Sequence, residues 1–328
     1  MKKLLLTLIT PGKKFEKRAK WLFPAEIAMV LYALFTVALV LFTSTSLDNP
    51  EGLVWWRLRL VFLTLALWLV YQLWPCRLMA FGRILLLLVS LSWWYPDTHL
   101  LNSQFQSLDH IFASADQAIF GFQPALMWSK HFTSPVVSEL MKMGYWCYYL
   151  MFALLTVYIL LCKYEKFQKV SFIILGSFFV YYVIFDLIPV AGPQYYYPAV
   201  GIDAIACGQF PKLDPGYFSA HMDCLPIPGW EDGIFHKLVQ MSHDAGERPT
   251  AAFPSSHVGI STVCMLYALR NREWKYMLIF AIPYAFLCMG TVYIMAHYAV
   301  DAIAGFISAA CIYFLMEWVY GVFFEKRK

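Results

Sequence analysis

Residues 168–190 read Gln168-Lys169-Val170-Ser171-Phe172-Ile173-Ile174-Leu175-Gly176-Ser177-Phe178-Phe179-Val180-Tyr181-Tyr182-Val183-Ile184-Phe185-Asp186-Leu187-Ile188-Pro189-Val190, and from Val170 onward only Asp186 carries a charge. About 20 apolar residues in a helix cross the ~30 Å hydrocarbon layer of a bilayer, so this run predicts a spanning helix. Comparable runs lie at 24–43, 52–74, 81–95, 144–162, 254–270, 275–294 and 297–320, giving about eight spans in all. The third is short, and the sixth contains several small polar residues. Composition agrees: the 328 residues are 60% hydrophobic and 14% charged, with a mean hydropathy of +0.58, where soluble domains are nearer half and a quarter. An aromatic share of 18% suits side chains that favour the membrane interface. The expected fold class is an all-α integral membrane protein. A net charge of only +4, with no concentrated basic face, argues against a nucleic-acid partner.

Lysine and arginine set the orientation. The N-terminal segment, the connections at 75–83, 163–169 and 270–275, and the tail Lys326-Arg327-Lys328 together hold 18 of the 25 basic residues. The positive-inside rule then places both termini in the cytoplasm. Met1-Lys2-Lys3-Leu4-Leu5-Leu6 resembles a signal peptide only briefly, because no small-residue cleavage site follows and Pro11-Gly12-Lys13-Lys14 interrupts it. Residues 1–23 read as a basic interfacial N-terminal segment, with a linker without structure as the other reading. Residues 24–162 form an N-terminal set of helices with an outer loop near 96–143. Residues 163–328 form the expected catalytic core, with an outer loop near 191–253. Loops of that length without evident secondary structure are usually functional or disordered. In the second, Ile234, Phe235, Leu238 and Met241 recur at helical spacing and predict a short interfacial helix. Cys207 and Cys224 share that loop, and in an oxidising compartment they are candidate disulfide partners.

Two clusters carry chemistry. In Arg248-Pro249-Thr250-Ala251-Ala252-Phe253-Pro254-Ser255-Ser256-His257, proline and serine suit the start of a helix. A helix start offers free N–H groups and a positive dipole end to an anion such as phosphate, and His257 would lie one turn inside. A plain helix cap is the other reading of Pro-Ser-Ser. In His297-Tyr298-Ala299-Val300-Asp301 the i, i+4 spacing puts His297 and Asp301 on one helix face. Asp301 could then accept from one ring nitrogen and leave the other free to attack. A structural His–Asp pair is the alternative. Topology places both clusters at the same outer membrane face, where ionisable groups inside a span mark function by default. A metal site is the rival reading, but no close multi-ligand spacing such as His-Glu-x-x-His occurs.

Pro254-Ser255-Ser256-His257 and His297 through Asp301, in that order, resemble the second and third motifs of the type 2 phosphatidic acid phosphatase superfamily. Arg248-Pro249 is similar to the end of its first motif. The resemblance covers roughly 170–320 and implies that His297 is the nucleophile, that Asp301 orients it and that His257 is the acid–base partner. Arg248 and the amides near Ser255 and Ser256 would hold phosphate oxygens. Two cations of the phosphatase branch are missing: Met241 stands where it has lysine, and Gly290-Thr291 where it has serine-arginine. That pattern is similar to the inositol phosphorylceramide synthase and sphingomyelin synthase branch. The expected activity is thus transfer of a phospho-headgroup from a glycerophospholipid to a ceramide-type acceptor, with no cofactor and with membrane lipids as partners. A lipid phosphate or pyrophosphate phosphatase using the same triad is the alternative, and a transporter with a His/Asp proton relay is a third. The site would face away from the cytoplasm, across a bacterial inner membrane or into a Golgi lumen.

Overall fold

The computed structural model describes residues 2–11 and 21–325, and these form helices and connections with no strand among them. Lys13 to Lys20 and the tail Lys326-Arg327-Lys328, which carry part of the charge argument, lie outside the described residues. The helices, in chain order, are α1 Lys2–Ile9, α2 Pro24–Phe42, α3 Pro50–Leu73, α4 Arg77–Asn102, α5 Asp109–Phe120, α6 Pro124–His131, α7 Pro135–Cys162, α8 Phe167–Leu187, α9 Pro193–Val200, α10 Ile202–Ala206, α11 Tyr217–Ala220, α12 Ile234–Gly246, α13 Ser256–Arg270, α14 Trp274–Tyr293 and α15 Ala299–Tyr320. Seven of them (α2, α3, α4, α7, α8, α14 and α15) are long and apolar enough to cross a membrane.

The eighth expected span is α13. Its 15 residues, at a rise of 1.5 Å each, cover only about 22 Å, short of a ~30 Å hydrocarbon layer. Two other helices are longer than the apolar runs that announced them. Helix α4 was expected over 81–95 but continues through Asp97, Thr98, His99 and Asn102, all buried. Those polar groups find partners in protein: Asn102 Nδ2 donates to the Phe185 carbonyl and to Thr250 Oγ1, each at 2.8 Å. Helix α7 likewise starts nine residues before its expected first residue, at Pro135 instead of 144. Its Ser138 Oγ accepts from Trp230 N at 2.9 Å, Glu139 accepts from the first amides of α12, and Lys142 donates to the Trp230 carbonyl at 2.6 Å. Polar residues satisfied inside the protein prolong a membrane helix where hydropathy alone would end it.

The segment 96–143 is therefore no open loop; most of it is the end of α4, α5, α6 and the start of α7. In the segment 191–253, α12 forms where helical spacing predicts it, with Ile234 72% and Met241 66% exposed.

The chain divides into two compact units. The first comprises residues 1–94, 156–179 and 316–328. Within it Arg57 donates to Thr36 at 2.8 Å, and Arg83 pairs with Glu26 while lying over the Phe23 ring at 3.6 Å. The second unit, 95–155 and 180–315, contains both sequence clusters. There α7 and α14 approach closely through small residues, as membrane helices do. A Cβ on Gly144 would stand 2.4 Å from the Leu287 nitrogen, and one on Gly290 would stand 2.3 Å from the Met141 carbonyl.

Candidate active site

His297 occupies the connection between α14 and α15, and its Nδ1 lies 2.7 Å from the Ala252 carbonyl oxygen. A carbonyl can only accept, so Nδ1 carries the proton and, in the neutral ring, Nε2 has the lone pair. That Nε2 faces His257 Nδ1 at 3.4 Å. Burial pushes the His297 imidazole down to about 4, against the upward pull of the Ala252 carbonyl, which keeps it neutral at ordinary pH. His257 projects from the first turn of α13, with Tyr145 of α7 stacked on it and Tyr148 tilted against it, each ring 4.4 Å away. The two histidines, 40 residues apart in sequence, thus meet.

Asp301 takes a different place from the one expected. Its Oδ2 is 3.8 Å from His297 Nδ1, too far for a hydrogen bond, and instead accepts from the Tyr298 amide at 2.9 Å. The i, i+4 expectation presumed that both residues are helical, whereas α15 begins at Ala299 and the His297 ring swings to Ala252. Asp301 Oδ1 is buried without a hydrogen-bond partner among the described residues.

Ser255 and Ser256 are buried at the start of α13. Ser255 caps that helix, its Oγ accepting from Val258 N at 3.4 Å, and its own amide donates to the Asp301 carbonyl at 3.0 Å. This joins the starts of α13 and α15, and Gly305 allows the contact, since a Cβ there would stand 2.4 Å from the Ser255 carbonyl. Arg248 is exposed and donates to the neighbouring Glu247 carbonyl at 3.0 Å. Cys207 and Cys224 are both free, exposed thiols, so the candidate disulfide is not formed. The Cys224 Sγ is turned toward α12, 3.9 Å from His243 Nε2. Where the phosphatase branch has its two cations, Met241 is exposed on α12, and Gly290 and Thr291 are buried in α14.

Two acids that sequence reasoning passed over stand beside the pair. Asp116 accepts from the Ala299 and Val300 amides, both at 2.9 Å. Asp109 accepts from the Ala191 and Gly192 amides at 2.8 Å and from the Tyr298 hydroxyl at 3.0 Å. Burial raises both carboxyls, Asp116 to about 6, and the hydrogen bonds they accept oppose the rise. The signal was present: two aspartates seven residues apart lie on one face of a helix. A cleft lined by Tyr145, Gln194, Ser242, His243, Glu247 and Ala296 adjoins the histidines, sharing Tyr145 with the stack on His257.

Two imidazoles, His297 buried and His257 half-buried, face each other at a helix start, an arrangement chemically suited to displacement at phosphorus. Residues 110–315 match the family model of the PAP2 superfamily, which is more than half of the chain, and the chain belongs to that superfamily. The match begins earlier than the motif region at 170–320 and takes in Asp116, Tyr145 and Tyr148. Members are phosphatases and phosphotransferases, and membership supports an enzyme of that kind here. Neither a curated protein nor a solved structure matches the chain significantly.

Proposed function

We propose that the protein transfers a phospho-headgroup from a glycerophospholipid to a ceramide-type acceptor through a phosphohistidine on His297. The observation that carries this reading is the fixed tautomer of His297, whose lone pair on Nε2 faces the ring of His257. His297 Nε2 attacks phosphorus as the bond to the diacylglycerol oxygen breaks, and His257 gives that oxygen its proton. In the second half His257 takes the proton of the acceptor hydroxyl as its oxygen attacks phosphorus, and the P–N bond breaks to restore His297. Ser255, Ser256 and Arg248 are the groups proposed to hold phosphate oxygens; the buried start of α13 suits that task better than exposed Arg248. Asp301, hydrogen-bonded to the backbone next to His297, steadies that residue's chain.

A diester donor is favoured over a phosphate monoester on charge. A monoester brings nearly two negative charges and a diester one. Met241, Gly290 and Thr291 supply no cation, and the side chains that hold the His297 segment are the acids Asp109, Asp116 and Asp301, with no lysine or arginine among them. With α13 counted as a short eighth crossing, the basic residues orient the reaction toward the extracytoplasmic face.

The test is purified protein in EDTA with labelled phosphatidylinositol, with and without ceramide, beside His297→Ala. A labelled sphingolipid formed only with ceramide, and lost in the variant, supports the transferase. Free phosphate from phosphatidic acid or a polyprenyl pyrophosphate, with no transfer product, would replace it with a phosphatase.

A further inference from the structure

We propose that Asp109 and Asp116, on one face of α5, are positioning residues that hold the His297 ring for attack; this rests on the reading of His297 as the nucleophile. Asp116 grips the start of α15 with both oxygens on consecutive amides, Ala299 and Val300, only two and three residues past His297. Asp109 reaches the same segment through the Tyr298 hydroxyl, on the residue adjoining His297.

Asp109 also holds the acceptor of the ring. It fixes the Ala191 and Gly192 amides, and the next carbonyl back, Val190 O, accepts from the Ala252 amide at 3.0 Å. Ala252 in turn supplies the carbonyl that receives His297 Nδ1–H. Gly192 permits this close passage: its φ is +96°, and a Cβ there would stand 2.8 Å from the Ala296 carbonyl. One helix thereby anchors both the backbone that carries His297 and the group that selects its tautomer. Helix starts are usually capped by a side chain at their own Ncap position. Here the amides of Tyr298, Ala299 and Val300, at the start of α15, are all taken by carboxyl groups, the last two by Asp116 of α5. A substrate phosphate is consequently excluded from the α15 start and left to that of α13.

The experiment uses the full chain in lipid nanodiscs and a glycerophospholipid labelled in its phosphate, without acceptor. The rate at which label reaches protein is read for wild type, Asp116→Asn, Asp109→Asn and Asp116→Glu. Asp116→Asn is expected to slow labelling about a hundredfold with the donor KM unchanged, the loss that misplacing a reacting group by about 1 Å produces. Asp116→Glu, which keeps the charge, should recover part of the rate. A second arm supplies free imidazole to His297→Ala. Imidazole in solution needs no tether, so adding Asp116→Asn to that variant should leave the rescued headgroup release unchanged.

Wild-type labelling in Asp116→Asn, or an equal loss in the imidazole-rescued protein, overturns the proposal. If the asparagine variants fail to fold, Tyr298→Phe removes only the hydroxyl that Asp109 accepts, and it should slow labelling with KM unchanged; an unaltered rate there counts against Asp109. Absence of label from wild type under every donor sinks the nucleophile reading itself, and this proposal with it.

Discussion

His297 and His257 divide the chemistry between them, and their variants should fail differently. His297→Ala is expected to abolish both phosphoenzyme and product. His257→Ala should remove product while leaving slow labelling of His297, because the attacking nitrogen remains and only the proton for the leaving oxygen is lost. Quantifying acid-labile label and lipid product in the same reactions separates the two. Titration at this scale points to Asp116, not to a histidine. Its carboxyl, raised by burial to about 6, is an anion above that pH and takes up a proton as the pH falls through it, weakening its hold on the Ala299 and Val300 amides. Asp109, Asp301 and Tyr197 lie near enough to sense that charge. The labelling rate should therefore fall between about pH 7 and pH 5, whereas the lower rate of Asp116→Asn should stay level over that range. An acid limb that persists in Asp116→Asn would assign the titration to an imidazole. Both histidines were legible in the sequence because each sits in a short motif at an apolar-run boundary. Their mutual geometry was not, since Ala252 lies 45 residues from the ring it binds and the i, i+4 rule pointed to Asp301 instead.

At the scale of elements, α5 and α14 explain what hydropathy concealed. Asp109 and Asp116 lie in a segment too polar to read as a span, and their partners lie 189 and 184 residues further along the chain. Nothing local to 96–143 announces that link. The ends of α4 and α7 were missed for a related reason: polar residues that look like loop markers are satisfied by protein groups. Helix α14 gives packing as the reason for one departure from the phosphatase motif. Gly290 has no room for a side chain against the Met141 carbonyl, and Thr291 beside it is fully buried. Restoring only the serine of that motif by Gly290→Ser should therefore destabilise the protein by about 1–3 kcal/mol, read as a lower Tm, without creating monoester hydrolysis. A stable Gly290→Ser variant that releases phosphate from phosphatidic acid would refute this packing account.

At the scale of the whole molecule, the class of protein was plain from composition and from the length of the apolar runs. Among the described residues seven helices are long and apolar enough to cross a membrane, and the short α13 carries His257. The first unit contributes a buried Glu26–Arg83 pair whose side chains are both fully enclosed. Glu26→Gln leaves Arg83 an unpaired buried cation and should cost about 3–5 kcal/mol in stability. Orientation has its own check, because Cys207 and Cys224 are exposed free thiols in the segment expected to face outward. A membrane-impermeant maleimide should label them from the extracytoplasmic side of intact cells or right-side-out vesicles. Labelling only after the membrane is opened would reverse the topology.

The most direct measurement is to incubate the wild-type protein with phosphate-labelled phosphatidylinositol in EDTA, without acceptor, quench in alkali, and locate the label by peptide mapping. Acid-labile label on His297, discharged into lipid when ceramide is added, is the result predicted here. Transfer product formed with no label on His297 at any time, or undiminished in His297→Ala, would contradict it.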